Sequence, residues 1–215
     1  NLVDFPVEEL KITLADFHNT KKIYSNFLKA IEQSTEKRTS AAKNEISFLK
    51  ARQDKYTTIQ DLIEGGEIPM RACHNDTKLS NVLLHQNTEQ PLALIDLDTL
   101  MPHTILFDFA DAIRTLAAGN DENETDLTKV NFNLQFFESF TNGFFEKCSN
   151  ILTPVEQKNL AFSCLLITLE QAIRFLIDFL EGDTYYKTTY TSQNLQRAKN
   201  QIHLCKQIEE NMKQM

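Results

Sequence analysis

Two short apolar runs, residues 82–84 (VLL) and 92–95 (LALI), interrupt an otherwise helical pattern in the middle of the chain. They are separated by a polar stretch, residues 85–91. Two runs of strand length joined by a polar turn predict a β-hairpin. Asn81 would then lie just before the first strand and Asp96 just after the second. Because both positions fall at the same end of the hairpin, we expect these two side chains to lie close together.

The rest of the chain shows apolar residues at helical spacing, which predicts an α+β protein with a mostly helical body. Thr153, Pro154 and Glu156 form a helix-start signal, and Gly182 marks the end of the same helix. Asp16 or Asn19 would cap the first helix. The expected helices cover about residues 20–31, 46–63, 108–118, 127–148, 154–181 and 193–213, and a strand is expected within residues 68–73.

Composition excludes several classes of protein. The chain has 215 residues and a net charge of −8, which argues against a nucleic-acid partner because such proteins present a basic face. The richest apolar stretch, residues 160–180, is interrupted by charged residues, so we expect no membrane span and no membrane partner. The cysteines lack metal-ligand spacing and are expected to be reduced thiols of a cytoplasmic protein. They are Cys73, Cys148, Cys164 and Cys205.

Polar residues flank the hairpin in a pattern that indicates phosphoryl transfer. The segment HNDTKLSN (residues 74–81) precedes the first strand, and IDLD (residues 95–98) ends the second. One carboxylate, Asp76, would orient and deprotonate a hydroxyl, while Asn81 and Asp96 would hold Mg²⁺ against the phosphates of a nucleotide. The kinase catalytic loop H-R-D-x-x-x-x-N has the same spacing, with Asn75 here in place of its arginine.

Three neighbouring side chains are further candidates. Lys78 would neutralise charge on the transferring phosphoryl group, or it is an ordinary surface lysine. Strand alternation would place Asp98 on the same side as Asp96, where it could reach a second Mg²⁺ or a substrate hydroxyl; the alternative is a solvated turn acid. His74 is expected to anchor the loop by donating to a backbone carbonyl.

Residues 71–114 resemble the aminoglycoside phosphotransferase and choline kinase family, which has a protein-kinase-like fold. The likeness rests on H-x-D-x-x-x-x-N, on I-D, and on D-x-[AG]-D at residues 108–111. Within the family, the N-acetylhexosamine 1-kinase branch is the most similar. Its signature resembles HNDTK (residues 74–78), IDLDTLMP (95–102) and RFLIDFLEGDTYY (174–186).

The resemblance implies that residues 1–215 form the C-terminal lobe of such an enzyme. Residues 1–66 would be a helical N-terminal segment, 67–102 the catalytic loop and hairpin, and 103–215 a helical part that binds the substrate. The family's N-terminal lobe supplies a nucleotide-covering loop and a phosphate-pairing lysine, and neither is recognisable here. We therefore expect that lobe to be absent from this chain and to be its missing partner.

The resemblance also implies ATP and Mg²⁺ as cofactors, with Lys78, Asn81 and Asp96 contacting them. Asp76, Asp98, Arg174 and Tyr185 would approach an acetamido sugar. Asp108 would brace the catalytic loop from below. Alternatives remain open: Arg174 could be purely structural through an ion pair with Glu170 or Asp178, the acceptor could be an aminoglycoside or choline, and the chain could be a binding module without activity.

Overall fold

The computed structural model describes residues 5–88 and 90–215, which form eight α-helices and four short strands. The helices are α1 (Thr20–Gln33), α2 (Glu36–Ala41), α3 (Lys43–Lys50), α4 (Lys55–Glu64), α5 (Ile105–Leu116), α6 (Leu134–Cys148), α7 (Pro154–Glu181) and α8 (Gln193–Asn211). The strands are β1 (Arg71–Cys73), β2 (Val82–Leu84), β3 (Pro91–Leu94) and β4 (Met101–His103). The mixed, mostly helical architecture agrees with the α+β prediction.

Helix α7 forms the centre of the helical body, packed against α1, α5 and α8. Its start is fixed by a complete capping box: the Thr153 hydroxyl accepts from the Glu156 amide, and the Glu156 carboxylate accepts from the Thr153 amide. Its end is fixed by Gly182, which adopts a left-handed conformation with φ of 110°. The bounds inferred from these local signals are confirmed.

In length and composition alone, α7 would qualify as a membrane span, contrary to the expectation from its charged interruptions. Of its most apolar window, 72% is buried within the protein. Core helices of this kind pass the same test, and burial of α7 against three other helices accounts for its apolar composition. Among the described residues it is the single helix that meets the criterion.

Strands β2 and β3 form the predicted hairpin, with Val82 opposite Leu94 and Leu83 opposite Ala93. The hairpin does not pack on the helical core. Its leucines remain between 45% and 63% exposed, which is unusual for side chains of this size. They are Leu83, Leu84, Leu92 and Leu94.

A second strand pair was not anticipated. Strand β1 pairs with β4, so that Arg71 lies opposite His103 and Cys73 opposite Met101. The sequence pattern predicted a strand where β1 lies, but it predicted a helical region after Pro102, so β4 was missed. This pair joins the two ends of residues 74–100, and the loop and the hairpin therefore extend from a single closed base.

Several helix boundaries differ from the expectation. The expected helix over 46–63 is divided into α3 and α4, and α2 forms in the polar segment between the first two expected helices. Helix α5 begins three residues before Asp108, because Thr104 caps it by accepting from the Leu106 amide. Helix α6 begins at Leu134 rather than near Leu127, because Asn133 provides its cap.

Candidate active site

The loop before the hairpin is held by one carboxylate on the first turn of α5. Asp108 accepts hydrogen bonds from the backbone amides of His74 (2.9 Å) and Asn75 (2.7 Å). The Thr77 hydroxyl donates to the Asp108 carbonyl at 2.5 Å. Burial raises the pKa of Asp108, and the two backbone hydrogen bonds partly oppose that shift. The side chain expected to brace the loop thus contacts its backbone directly.

Asn75, which replaces the arginine of the kinase motif, lies inside the loop. It is 2% exposed and adopts a left-handed conformation with φ of 64°. Its Nδ2 donates to the carbonyls of Cys73 and Thr99, both at 3.0 Å. The amide therefore ties the start of the loop to the segment that returns from the hairpin.

His74 connects the loop to the end of the hairpin. Its Nε2 lies 3.0 Å from the Ile95 carbonyl, and its Nδ1 lies 3.3 Å from the Asp76 amide nitrogen. A carbonyl only accepts and an amide N–H only donates, so the geometry requires a neutral ring that carries its proton on Nε2. His74 therefore positions Asp76 relative to the residue that precedes Asp96.

Four of the predicted site residues come together at this end of the hairpin. The Asp76 Oδ2 accepts from Lys78 Nζ at 2.5 Å and from Asn81 Nδ2 at 3.1 Å. The same Lys78 nitrogen lies 3.7 Å from Asp96 Oδ2. Partial burial alone would lower the pKa of Lys78, but Asp76 and Asp96 raise it, so the ammonium stays charged between two carboxylates.

Asp98 does not join this group. Asp96 has a left-handed backbone with φ of 65°, and residues Leu97–Thr99 form a 3₁₀ turn. Strand alternation therefore does not apply to Asp98, and the argument that placed it beside Asp96 is wrong. Its side chain is exposed and makes no hydrogen bond or ion pair within the described part of the chain. Its carbonyl accepts from the Thr13 hydroxyl at 2.9 Å.

The side-chain oxygens around Lys78 are of the kind that binds a hard cation such as Mg²⁺. Asn81 uses Nδ2 as a donor to Asp76, which leaves Oδ1 as its ligand atom, and Asp96 adds a carboxylate that is 49% exposed. These candidate ligand atoms are all oxygens. The Lys78 ammonium lies between the carboxylates of Asp76 and Asp96, which shows that the position favours positive charge. Within the described ranges, no group of three or more His, Cys, Asp or Glu side chains is arranged to hold a metal ion.

Arg174 and Tyr185 lie elsewhere, along two adjoining cavities between α1 and α7. The Tyr186 cavity, about 420 Å³, is lined by Arg174, Tyr185 and Tyr186 among others. The His18 cavity, about 310 Å³, is lined by residues 13–18, Ile23, Glu170, Arg174 and Tyr185. Among the described residues, neither Arg174 nor Tyr185 shares a hydrogen bond, an ion pair or a cavity wall with Asp76.

The ion pair expected for Arg174 does not form. Neither Glu170 nor Asp178 lies within 4 Å of its guanidinium, which instead faces the rings of Phe17 at 5.4 Å and Tyr186 at 6.0 Å. Asp178 has other partners. Its carboxylate accepts from the backbone amides of residues 184–186 at 2.7 to 2.9 Å and from Asn194 Nδ2 at 2.7 Å.

A buried pair that sequence reasoning missed links the His18 cavity to the catalytic loop. His18 Nδ1 lies 2.8 Å from Glu170 Oε1, and Nε2 lies 2.9 Å from the Asn75 carbonyl. Both ring nitrogens face acceptors, so both must donate and the ring is charged. The one available signal was Glu170 itself, an acid in an apolar helix that requires a partner.

We expect Asp108→Asn to loosen the loop, because an amide offers one acceptor where two backbone N–H groups need one each. An unsatisfied buried donor costs about 1–3 kcal/mol. Urea denaturation should show a loss of that size, and amide exchange at His74 and Asn75 should be faster. The exposed Asp54→Asn provides the control and should change neither. Unchanged exchange at both amides would show that Asp108 does not hold the loop.

The His18–Glu170 pair predicts a pH dependence of stability. Burial alone would lower the pKa of His18, but Glu170 raises it above 6.5. Burial alone would raise the pKa of Glu170, but His18 lowers it below 4.5. The stabilisation that His18 contributes to the free energy of unfolding is complete below pH 6.5 and is lost as the pH rises through the raised pKa of His18. The stabilisation that Glu170 contributes is complete above pH 4.5 and is lost as the pH falls through the lowered pKa of Glu170.

The free energy of unfolding should therefore differ most between wild type and Glu170→Gln from about pH 4.5 to 6.5. Nearby His103 has a pKa lowered to about 4 by burial and by His18, and Glu170 opposes that shift, so its titration in both proteins falls below this pH range. Urea titrations at several pH values measure the difference. Glu181→Gln, an exposed change on the same helix, should give a flat difference, and a flat result for Glu170→Gln would contradict the pairing.

A comparison with protein families agrees with this arrangement. A family model described as "Phosphotransferase enzyme family" (APH) matches residues 13–132. The match covers more than half of the chain, and it contains His18, the catalytic loop, both strand pairs and Asp108. The protein belongs to the phosphotransferase enzyme family.

Proposed function

We propose that this protein is the catalytic and acceptor-binding part of an ATP-dependent kinase. It would transfer the γ-phosphoryl group to a sugar hydroxyl, specifically the anomeric hydroxyl of an N-acetylhexosamine. The observation that carries the proposal is the meeting of Asp76, Lys78, Asn81 and Asp96 at one open end of the hairpin. Family membership supports phosphoryl transfer.

Asp76 has the geometry of the base. Its Oδ2 is occupied by Lys78 and Asn81, whereas Oδ1 has no hydrogen-bond partner within the described residues, and the side chain is 23% exposed. An acceptor hydroxyl would donate to Oδ1 and leave its proton there as its oxygen bonds to the γ-phosphorus of ATP, while the bond from that phosphorus to the β–γ bridging oxygen breaks and ADP leaves. Lys78 would stabilise negative charge beside that oxygen.

Asn81 and Asp96 would hold Mg²⁺ through their oxygens. When bound, the ion supplies charge neutralisation of the nucleotide phosphates. The protein contributes the fixed spacing of these two side chains, since His74 and Asn75 tie the loop to the segment that carries Asp96.

The charge of the cavities favours a neutral acceptor over a cationic one. The unpaired Arg174 guanidinium would repel the ammonium groups of choline or an aminoglycoside. The four carboxylates that line the cavities offer little compensation. Glu170 is balanced by His18, Asp16 by Lys22, and Asp178 is saturated with backbone donors, while Glu181 is exposed and screened by solvent. Both cavities fall within the lower part of the range for small-molecule sites.

We propose that a further lobe takes part in nucleotide binding. The sequence contains no glycine-rich phosphate loop, and the exposed leucines of the hairpin form an apolar surface beside the site. We propose that the N-terminal lobe of the same protein covers this surface and supplies the loop and the lysine that cradle the phosphates.

The cysteines are free thiols in the described structure, which supports a reducing, cytoplasmic setting.

Asp76→Ala should reduce phosphoryl transfer by roughly 100-fold or more in a protein that includes the N-terminal lobe. The effect on stability should be small, under about 1 kcal/mol, because the side chain is partly exposed and outside the core. Coupled measurement of ADP release, together with urea denaturation, tests both. Asp126→Asn is the control, because this exposed acid accepts hydrogen bonds from Thr128 and not from the loop. Retained turnover in Asp76→Ala would remove the proposed base.

Residues 1–215 alone should consume ATP at least about 100-fold more slowly than the two-lobed protein, because the phosphate-binding groups are missing. The acceptor panel for the two-lobed protein is N-acetylglucosamine, N-acetylgalactosamine, kanamycin and choline. Turnover of the amino sugars alone is expected. Turnover of choline or kanamycin alone would reject the sugar assignment, and turnover of none would favour a binding module.

A further inference from the structure

His18 contacts the catalytic loop at the carbonyl oxygen of Asn75. Its Nε2 lies 2.9 Å from that oxygen, which accepts no other hydrogen bond from the described residues. The amide nitrogen at the other end of the same peptide bond belongs to Asp76 and lies 3.3 Å from His74 Nδ1. The peptide bond that leads into the proposed base is therefore held at both ends by a histidine.

The orientation of this peptide bond determines where the Asp76 carboxylate points. A planar peptide group turns only about its two flanking bonds, which here are the ψ bond of Asn75 and the φ bond of Asp76. Rotation about either bond alone would turn the Cα–Cβ bond of Asp76 and move Oδ1. Asn75 has a left-handed backbone with φ of 64°, which is uncommon outside glycine. The contacts at both ends of the peptide group oppose such a rotation.

The His18 ring is fixed from several sides, so it can serve as an anchor. The residue is 5% exposed, and its Nδ1 lies 2.8 Å from Glu170 Oε1 on α7. Three other rings surround it, with centroids 4.2 Å (Phe17), 5.3 Å (Phe107) and 5.8 Å (His103) away. The anchor therefore connects the catalytic loop to buried groups on α5, α7 and β4.

An ion pair that served stability alone would need only one ring nitrogen. The pair with Glu170 uses Nδ1, and Nε2 is directed at a backbone carbonyl 57 residues away in the chain. Hydrogen bonds from a charged donor are shorter and stronger than those between neutral groups. The contact from His18 is therefore the stronger of the two that hold this peptide bond.

We propose that His18 is a positioning residue for Asp76: its Nε2–H holds the peptide bond between residues 75 and 76 in the orientation that directs the Asp76 carboxylate at the acceptor hydroxyl. Glu170 acts through His18 by fixing the plane of the ring. This inference rests on the proposed function, because it assigns a role within the same site.

Two substitutions separate the roles of the two ring nitrogens. Asparagine places its side-chain NH₂ where Nδ1 lies, and glutamine places its NH₂ where Nε2 lies. His18→Asn therefore keeps the contact to Glu170 and loses the contact to Asn75, whereas His18→Gln does the opposite. Because His18→Gln leaves a buried carboxylate without its partner, urea denaturation should show it to be the less stable variant.

Activity should follow the opposite order to stability. In the two-lobed protein, with ATP and N-acetylglucosamine, kcat should fall about 10-fold or more in His18→Asn and less than about 3-fold in His18→Gln. The KM values should stay within about 2-fold of wild type, because binding groups are unchanged. His203→Asn and His203→Gln, on α8, are the matched controls and should leave kcat unchanged. Equal kcat in the two His18 variants, a slower His18→Gln, or a raised KM at constant kcat overturns the positioning role.

Amide hydrogen exchange on residues 1–215 tests the contact without turnover. Exchange at the Asp76 amide should be about 10-fold faster or more in His18→Asn and near the wild-type rate in His18→Gln. Unchanged exchange in His18→Asn overturns the inference and leaves the proposed function standing. Absence of turnover in the wild-type two-lobed protein overturns the proposed function, and with it the catalytic role of the contact. If either variant fails to fold, the same pair is compared in the Glu170→Gln background, which removes the buried charge.

Discussion

The two hydrogen bonds from the loop backbone to Asp108 determine where every acid of the site lies. They hold residues 74 and 75 against the first turn of α5, whose N-terminal end favours a carboxylate. From that fixed point, His74 reaches the end of the hairpin and Asn75 reaches the segment before β4. The strand pair β1–β4 closes the base. The backbone that carries Asp76 and Asp96 is therefore fixed by the side chains of Asp108, His74 and Asn75.

Helix α7 connects this loop to the rest of the protein through three buried acids, which lie near its start, in its middle and near its end. Near its start, Glu156 pairs with Arg71 of β1 at 2.9 Å. Midway, Glu170 pairs with His18. Near its end, Asp178 orders residues 184–186. A buried charge is tolerated only with a partner, and each of these partners comes from a different segment. One apolar helix thus sets the relative positions of the strand base, the N-terminal segment and the cavity walls.

The sequence predicted those features that depend on local signals. The hairpin followed from two apolar runs and a turn, and the bounds of α7 followed from a capping box and a glycine. Features that depend on distant partners were missed. Strand β4 exists because β1 lies beside it, and His18 is meaningful only beside Glu170. Arg174 was expected to use an acid on its own helix, but those acids are bound by groups 152 and 16 residues away from them in the chain.

Contacts with distant partners also explain why residue 75 can be an asparagine where the kinase motif has an arginine. An arginine at position 75 would bring a positive charge into a space where Asn75 is 2% exposed and its amide nitrogen faces backbone carbonyls. The neutral amide satisfies those carbonyls without any charge. Lys78 then remains the cation nearest to Asp76 and Asp96 in the described structure. Two carboxylates against one ammonium leave the open end of the hairpin negative, and a divalent ion with its nucleotide would bring the opposing charges together at that point.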